Sequence, residues 1–121
     1  MEDFTQLIKK LKKLKEPNNE IDKQISALFS NDQSIEILPY TGSIEVCLNL
    51  IKKYLPDFKW IITNIGYNNG IYQNGKMGCY FYSPFSSGPV TKQGFGYTIP
   101  STILLTFFNL ISDKLYHINL K

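Results

Sequence analysis

The chain has 121 residues, of which 43% are hydrophobic and 19% charged, with a formal net charge of +3. That composition suits one folded domain with a core of its own and excludes a disordered chain. All thirteen basic residues are lysine, which excludes the bidentate guanidinium grip on phosphate or guanine.

In chain order, Phe4, Leu7, Ile8, Leu11 and Leu14 recur at the three–four spacing of an amphipathic helix, with Lys9, Lys10, Lys12, Lys13 and Lys15 on its other side. Pro17 ends it, because a proline ring disfavours helix in the residue before it. Residues 1–16 therefore read as a basic amphipathic helix and residues 17–121 as a single α+β sandwich domain. A second helix begins at Asn18 or Asn19, either a competent cap, and buries Ile21, Ile25, Leu28 and Phe29 before dissolving in Ser30-Asn31-Asp32-Gln33. Ile35 to Tyr40 is an extended approach. A third helix starts near Thr41 or Ser43, with Ile44, Cys47, Leu48, Ile51 and Leu55 on its stripe, and Pro56 closes it.

The period then shortens. Lys59 to Gly66 reads as a strand, and Asn68-Asn69-Gly70 and Asn74-Gly75 are turn signals, since Asn and Gly tolerate positive φ. Met77 to Tyr82 alternates, with Met77, Cys79 and Phe81 expected to face the core and Gly78, Tyr80 and Tyr82 to face away. Pro84 to Pro89 is a turn. Val90 to Tyr97 is a third strand in which Gly94 and Gly96 either admit a close neighbour or mark a bulge. The last helix enters at Thr98-Ile99-Pro100. Its stripe of Leu104, Phe107, Phe108 and Ile111 is widened almost all round by Ile103, Leu105 and Leu110. Such a helix is fully buried or meets a second subunit, so a homo-oligomer built through the closing helix is one expectation. Leu115 to Lys121 alternates weakly and suits an edge strand. Turns too short for crossovers make the three-stranded sheet antiparallel, and helices before and after it give an α+β helix–sheet–helix sandwich.

Several of these residues carry a resemblance. Asn19-Glu20-Ile21-Asp22 with Ile25 and Leu28-Phe29, Pro39-Tyr40-Thr41-Gly42-Ser43-Ile44 with Leu48, Trp60 in the first strand, and the Pro-led helix from Pro100 through Leu110 resemble the phage ABA sandwich domain family over roughly residues 19–111. Ile99 stands where that family usually has Thr. The resemblance implies a helix–sheet–helix sandwich of bacteriophage or prophage origin working in the host bacterial cytoplasm. It implies no activity and no catalytic residues.

Charge and chemistry divide the chain. Residues 1–57 hold eight lysines against nine acids; residues 58–121 hold five lysines against Asp113 alone. From Phe58 through Ser112 there is no Asp, Glu or His, but there are twelve aromatic rings and three lysines. General acid–base catalysis needs a group that exchanges protons near neutral pH, and metal sites need carboxylates or His and Cys clusters. That stretch offers neither, so neither metal nor cofactor is expected, and its residue types suit binding. Tyr80 and Tyr82 near Lys76 and Lys92 could stack a base and hold its phosphate. With Tyr67, Asn69, Tyr72 and Tyr97 they form the candidate ligand set, the alternative being that these rings, Phe85 among them, only cover the second face of the sheet. The lysines from Lys9 to Lys15 could touch nucleic-acid phosphates weakly, or be the solvated face of a packed helix. His117 with Asp113 at i, i+4 spacing reads as a terminal ion pair, and Cys47 and Cys79 as buried free thiols of a cytoplasmic protein.

Two function classes lead. One is a non-enzymatic protein that captures a small anionic, nucleotide-like ligand, in a phage setting a counter-defence protein sequestering an immune signal. The other is an interaction module acting on a host protein. Membrane association is not expected, since no apolar run approaches the roughly 18 residues of a span and the N-terminus lacks the apolar centre of a secretory signal.

Overall fold

The computed structural model describes residues 4–30, 36–68, 71–73, 75–82 and 93–112, of which residues 66–68 and 71–73 are described for their backbone alone. The elements run α1 (Thr5–Lys13), α2 (Asn19–Leu28), α3 (Ile44–Tyr54), β1 (Lys59–Thr63), β2 (Gly66–Asn68), β3 (Ile71–Gln73), β4 (Met77–Tyr82), β5 (Gly94–Gly96) and α4 (Ile99–Ile111). β1, β4 and β5 form an antiparallel sheet in the order β1-β4-β5, and β2 and β3 form a separate hairpin. The fold is α+β, with helices before and after a three-stranded antiparallel sheet.

Helix α4 is the centre. Every residue from Ser101 through Phe108 is buried, as is Leu110. Its entry follows from sequence: Thr98 accepts from the Ser101 amide and Ser101 reaches back in a capping box, with Pro100 in the tolerated first turn. Buried threonines do not cost unmet hydrogen bonds. Thr102 Oγ1 donates to the Thr98 carbonyl at 2.6 Å, and Thr106 Oγ1 lies 2.9 Å from the Thr102 carbonyl. Of the two expectations for this helix, full burial holds. Among the described residues α4 is enclosed by its own chain from Ser101 through Phe108.

Helix α1 belongs to the same core. Phe4, Leu7, Leu11 and Leu14 are buried, and Phe4 packs on Phe108 with ring centroids 5.3 Å apart. The basic N-terminal helix is thus one wall of the body. Phe29, just past α2, meets Tyr54 at 5.4 Å and Tyr40 at 5.9 Å, within the range of favourable aromatic pairs. The buried stripe of α3 is Cys47, Leu50 and Ile51, followed by Leu55, whereas Ile44 is exposed and Leu48 half-buried. The sequence stripe is rotated because Ser43 caps the helix and the turn before it fixes which face meets α4.

That turn is held by a buried network. Thr41 donates its amide to Asp22 Oδ1 at 2.8 Å and its hydroxyl to the same oxygen at 2.7 Å, while the Asn18 amide donates to Thr41 Oγ1 at 2.8 Å. Asn18 also caps α2 through Ile21 N at 3.0 Å. Asn18, Asp22 and Thr41, 23 positions apart at the extremes, tie the start of α2 to the start of α3.

The two faces of the sheet are set by register. Cys79 opposes Gly94 and Ile62, and Phe81 opposes Trp60. Cys79 and Phe81 are fully buried, as the alternation predicts, while Met77 is half-buried. Gly94 and Gly96 admit a close neighbour, and that neighbour is α4. A Cβ on Gly94 would stand 2.4 Å from the Thr106 backbone nitrogen, and one on Gly96 would stand 2.9 Å from Ser101 Oγ and Thr102 Oγ1. On the opposite face are Lys59, Ile61 and Thr63 from β1, Gly78, Tyr80 and Tyr82 from β4, and Phe95 from β5. β2 and β3 pair from Gly66↔Gln73 to Asn68↔Ile71, and Gly75 takes φ +72°, while the turn positions Asn69, Gly70 and Asn74 lie outside the described residues.

Candidate anion-binding site

Two separate clusters emerge from the residues that composition singled out. The first centres on Tyr97, the residue after β5. Because Met77 opposes Gly96, the chain before β4 brings Lys76 alongside Tyr97, and the Lys76 ammonium lies 5.4 Å from the ring centroid. Helix α1 passes close to β5, and Lys15, just beyond its end, puts its own ammonium 4.9 Å from the same centroid. Both distances fit cation–π contact. The two ammoniums are thereby held within about 10 Å of each other, close to a Debye length at moderate salt.

Neither charge has an ion-pair partner among the described residues. Among the described residues the one ion pair is Lys23 with Glu20, at 3.4 Å on the surface of α2. Among the described residues no carboxylate lies within ion-pair distance of Lys15 or Lys76. The first turn of α4, starting one residue after the Thr98 cap, carries no acid either, so its partial positive end adds to the same field. Two lysines, a phenol and a helix start make a positive corner where an anion lowers the electrostatic energy.

The second cluster lies on the open sheet face. Tyr80 meets Phe95 edge-on at 6.2 Å, and its ring lies back along β4 over Gly78, where a Cβ would stand 2.9 Å from the phenol oxygen. Gly78 is buried by this ring, which shields a strand position without a side chain of its own. Tyr82 opposes Lys59 at the other end of the strand. Tyr80 is therefore engaged in the sheet, whereas Tyr97 meets two lysines.

The expected ligand set divides accordingly. Lys76 and Tyr97 come together, and Tyr80 and Tyr82 share the open face of the sheet. Tyr67 and Tyr72 oppose each other in the β2–β3 hairpin by backbone register, and their side chains lie outside the described residues, as do Asn69, Lys92, Phe85, Asp113, His117 and the tail 115–121. Lys9, Lys10, Lys12, Lys13 and Lys15 are all exposed. Lys15, expected among the nucleic-acid lysines, instead joins Lys76 and Tyr97. Sequence reading missed Phe95 and the association of Lys15 with Lys76, because both depend on which residues the register and the α1 docking bring together, over separations no local pattern reports.

No family model, curated protein or solved structure matches this chain. In this fold the Pro39–Ile44 segment takes part in the clamp between α2 and α3. Its Cys47 neighbour is buried, donating to the Tyr40 carbonyl at 3.1 Å. Burial, with the Asp22 charge beside it, pushes the Cys47 thiol up to about 12; burial likewise raises Cys79 to about 12, against a lowering contribution from its contact with Thr106. Thiols held neutral in this way are poor nucleophiles and poor metal ligands at neutral pH. Burial, with contributions from Tyr54 and Cys47, also raises Tyr40 to about 12. Among the described residues no helix is long and apolar enough to cross a membrane.

Proposed function

We propose that this protein binds a small anionic ligand of nucleotide type without transforming it, with Lys15 and Lys76 gripping a phosphate-like group beside Tyr97. The observation that carries this reading is the pair of ammoniums on one phenol ring, beside the start of α4 and without an ion-pair partner among the described residues. Such a pair is electrostatically unfavourable when empty and favourable when an anion sits between its members. The ring of Tyr97 offers a surface for a base or sugar next to that charge. The reading as binding rather than catalysis draws on the acid-free composition from Phe58 through Ser112 and on thiols that are buried and neutral. In the phage setting that the resemblance implies, a sequestering role against a nucleotide-derived immune signal in the host cytoplasm is the concrete form of this proposal.

Isothermal calorimetry against cyclic nucleotides, ADP-ribose-type nucleotides and inorganic phosphate tests it. Binding to at least one phosphorylated ligand is expected, with affinity reduced tenfold or more in Lys76→Ala and in Lys15→Ala. Silence across the panel, or binding indifferent to both substitutions, removes the proposal. Removing residues 1–16 is not a usable test, because Phe4, Leu7, Leu11 and Leu14 belong to the core.

A further inference from the structure

Strand β1 closes one side of the three-stranded sheet. β4 pairs with one of its edges, and among the described residues nothing pairs with the other. Its side chains are open as well: Trp60 is 40% and Ile61 49% exposed, and Ile65 just beyond is 55% exposed. An unpaired row of backbone donors and acceptors flanked by exposed apolar side chains is a template for another extended chain. The strand has no proline and no acid, and its single charge, Lys59, stands at one end.

We propose that β1 pairs antiparallel with β1 of a second copy of this chain, about a two-fold axis at Ile61, to make a continuous six-stranded sheet. The register selects this occupant. With the axis at Ile61 all five residues pair: Lys59 opposes Thr63 of the other copy, Trp60 opposes Ile62, and Ile61 meets Ile61. The core-side residues Trp60 and Ile62 then oppose one another, and so do the open-face residues. A slip of one residue would set core side against open side, because side chains alternate along a strand. A slip of two keeps the faces but leaves residues unpaired, and in one direction draws the two Lys59 ammoniums together. In the register centred on Ile61 they sit at opposite ends, separated along the strand by four residues, about 14 Å, beyond a Debye length at physiological salt. Charge and face are thus self-complementary, as a two-fold contact requires. Both helical layers lie on the same side of the joined sheet. On the other side, Ile61, Tyr80 and Phe95 become a stripe running across both copies. This pairing is independent of the anion site, which lies around β5 at the far side of the sheet.

Sedimentation or light scattering across a concentration series reads the mass. The wild-type chain is expected to pass from one to two copies as concentration rises. Trp60, the single tryptophan, is expected to shift its emission to the blue over the same range as it becomes covered by Ile62. Ile61→Lys places two ammoniums on the axis and is expected to stay monomeric at every concentration, with an unchanged far-ultraviolet circular dichroism spectrum. Ile61→Cys, under a mild oxidant, is expected to give a linked dimer many times faster than Asn49→Cys on exposed α3, while the buried Cys47 and Cys79 do not compete. A wild-type chain that is monomeric throughout, whether or not an unrelated extended peptide captures the edge, overturns the proposal. So does a dimer that persists in Ile61→Lys, or cross-linking at position 61 no faster than at position 49.

Discussion

Gly94 and Phe95 are neighbours in one three-residue strand, and they answer to different demands. The Gly94 side of the sheet lies so close to α4 that a methyl group has no room, and among the described residues no buried side-chain polar atom lacks a partner. The Phe95 side carries Tyr80, Ile61 and Lys59 with partial or full exposure. The lesson is that stability is concentrated on one face, where each atom is specified by its neighbours. The other face and its edges are free to meet something outside the chain. If that division is real, substitutions on the two faces must differ in what they change as well as in how much.

The largest effect is expected at Gly94. In Gly94→Ala the new methyl meets the backbone nitrogen of Thr106 at 2.4 Å, and a helix backbone cannot step aside as a side-chain tip can. Overpacking of this kind costs about 3 kcal/mol or more. Gly96→Ala meets hydroxyl side chains at 2.9 Å and is expected to cost roughly 1–2 kcal/mol. Phe95→Ala, which loses the edge contact with Tyr80 and a half-covered ring, is expected to cost about 1 kcal/mol. Urea unfolding midpoints rank the three, and a Phe95→Ala cost equal to that of Gly94→Ala would erase the distinction between faces.

Next comes the clamp between α2 and α3. Asp22→Ala strips the acceptor from both the amide and the hydroxyl of buried Thr41, and an unpaired buried donor costs roughly 1–3 kcal/mol. Asp22→Asn keeps a carbonyl oxygen in place and is expected to lose less than half as much. Both variants should bind any ligand of the Lys15–Lys76 corner with wild-type affinity per folded molecule, which calorimetry on the folded fraction would check.

The buried thiols give a pH signature confined to the same packed side. Cys47 and Cys79 ordinarily titrate near 9 and Tyr40 near 10, and in the fold all three stand at about 12. The folded state therefore holds protons that the unfolded state releases once pH passes 9. Their contribution to stability is complete below pH 9 and is lost as pH rises toward 12. Urea midpoints at pH 7, 9, 10 and 11 should fall along the series, and Cys47→Ala and Cys79→Ala should each flatten the alkaline decline. A thiol reagent should label neither cysteine in the native protein at neutral pH. Rapid labelling would mean that the packed face opens.

Much of this packed side was legible in the sequence. Apolar spacing placed α1, α2 and α4, Asn18 or Asn19 could be named as the cap of α2 and Pro100 as the first turn of α4, and strict alternation put Cys79 and Phe81 inward. The stripe of α3 was misjudged, with Leu50 overlooked and Ile44 counted in, because a helix with apolar residues on several sides leaves its rotation to its neighbours. The candidate site was legible only as an inventory. Composition named Lys76, Tyr80, Tyr97 and Lys15 as residues suited to binding. Which of them meet depends on the pairing of Met77 with Gly96 and on how α1 docks against β5, and neither contact has a local signal.

The smallest effects should come from the positive corner, and there their sign matters more than their size. Lys15→Ala and Lys76→Ala each lose a cation–π contact with Tyr97, and each relieves repulsion on the lysine that remains. At about 10 Å in water that repulsion is a few tenths of a kcal/mol, so each single variant should lie within about 0.5 kcal/mol of wild type. A double-mutant cycle isolates the coupling between the two ammoniums. Without ligand it should be weakly repulsive and should fade as salt rises; with saturating phosphate ligand it should become attractive, since each lysine then strengthens the other's hold on the anion. Coupling that is attractive in the empty protein would mean that the corner is already neutralised by the chain itself and has no charge to spare for a ligand.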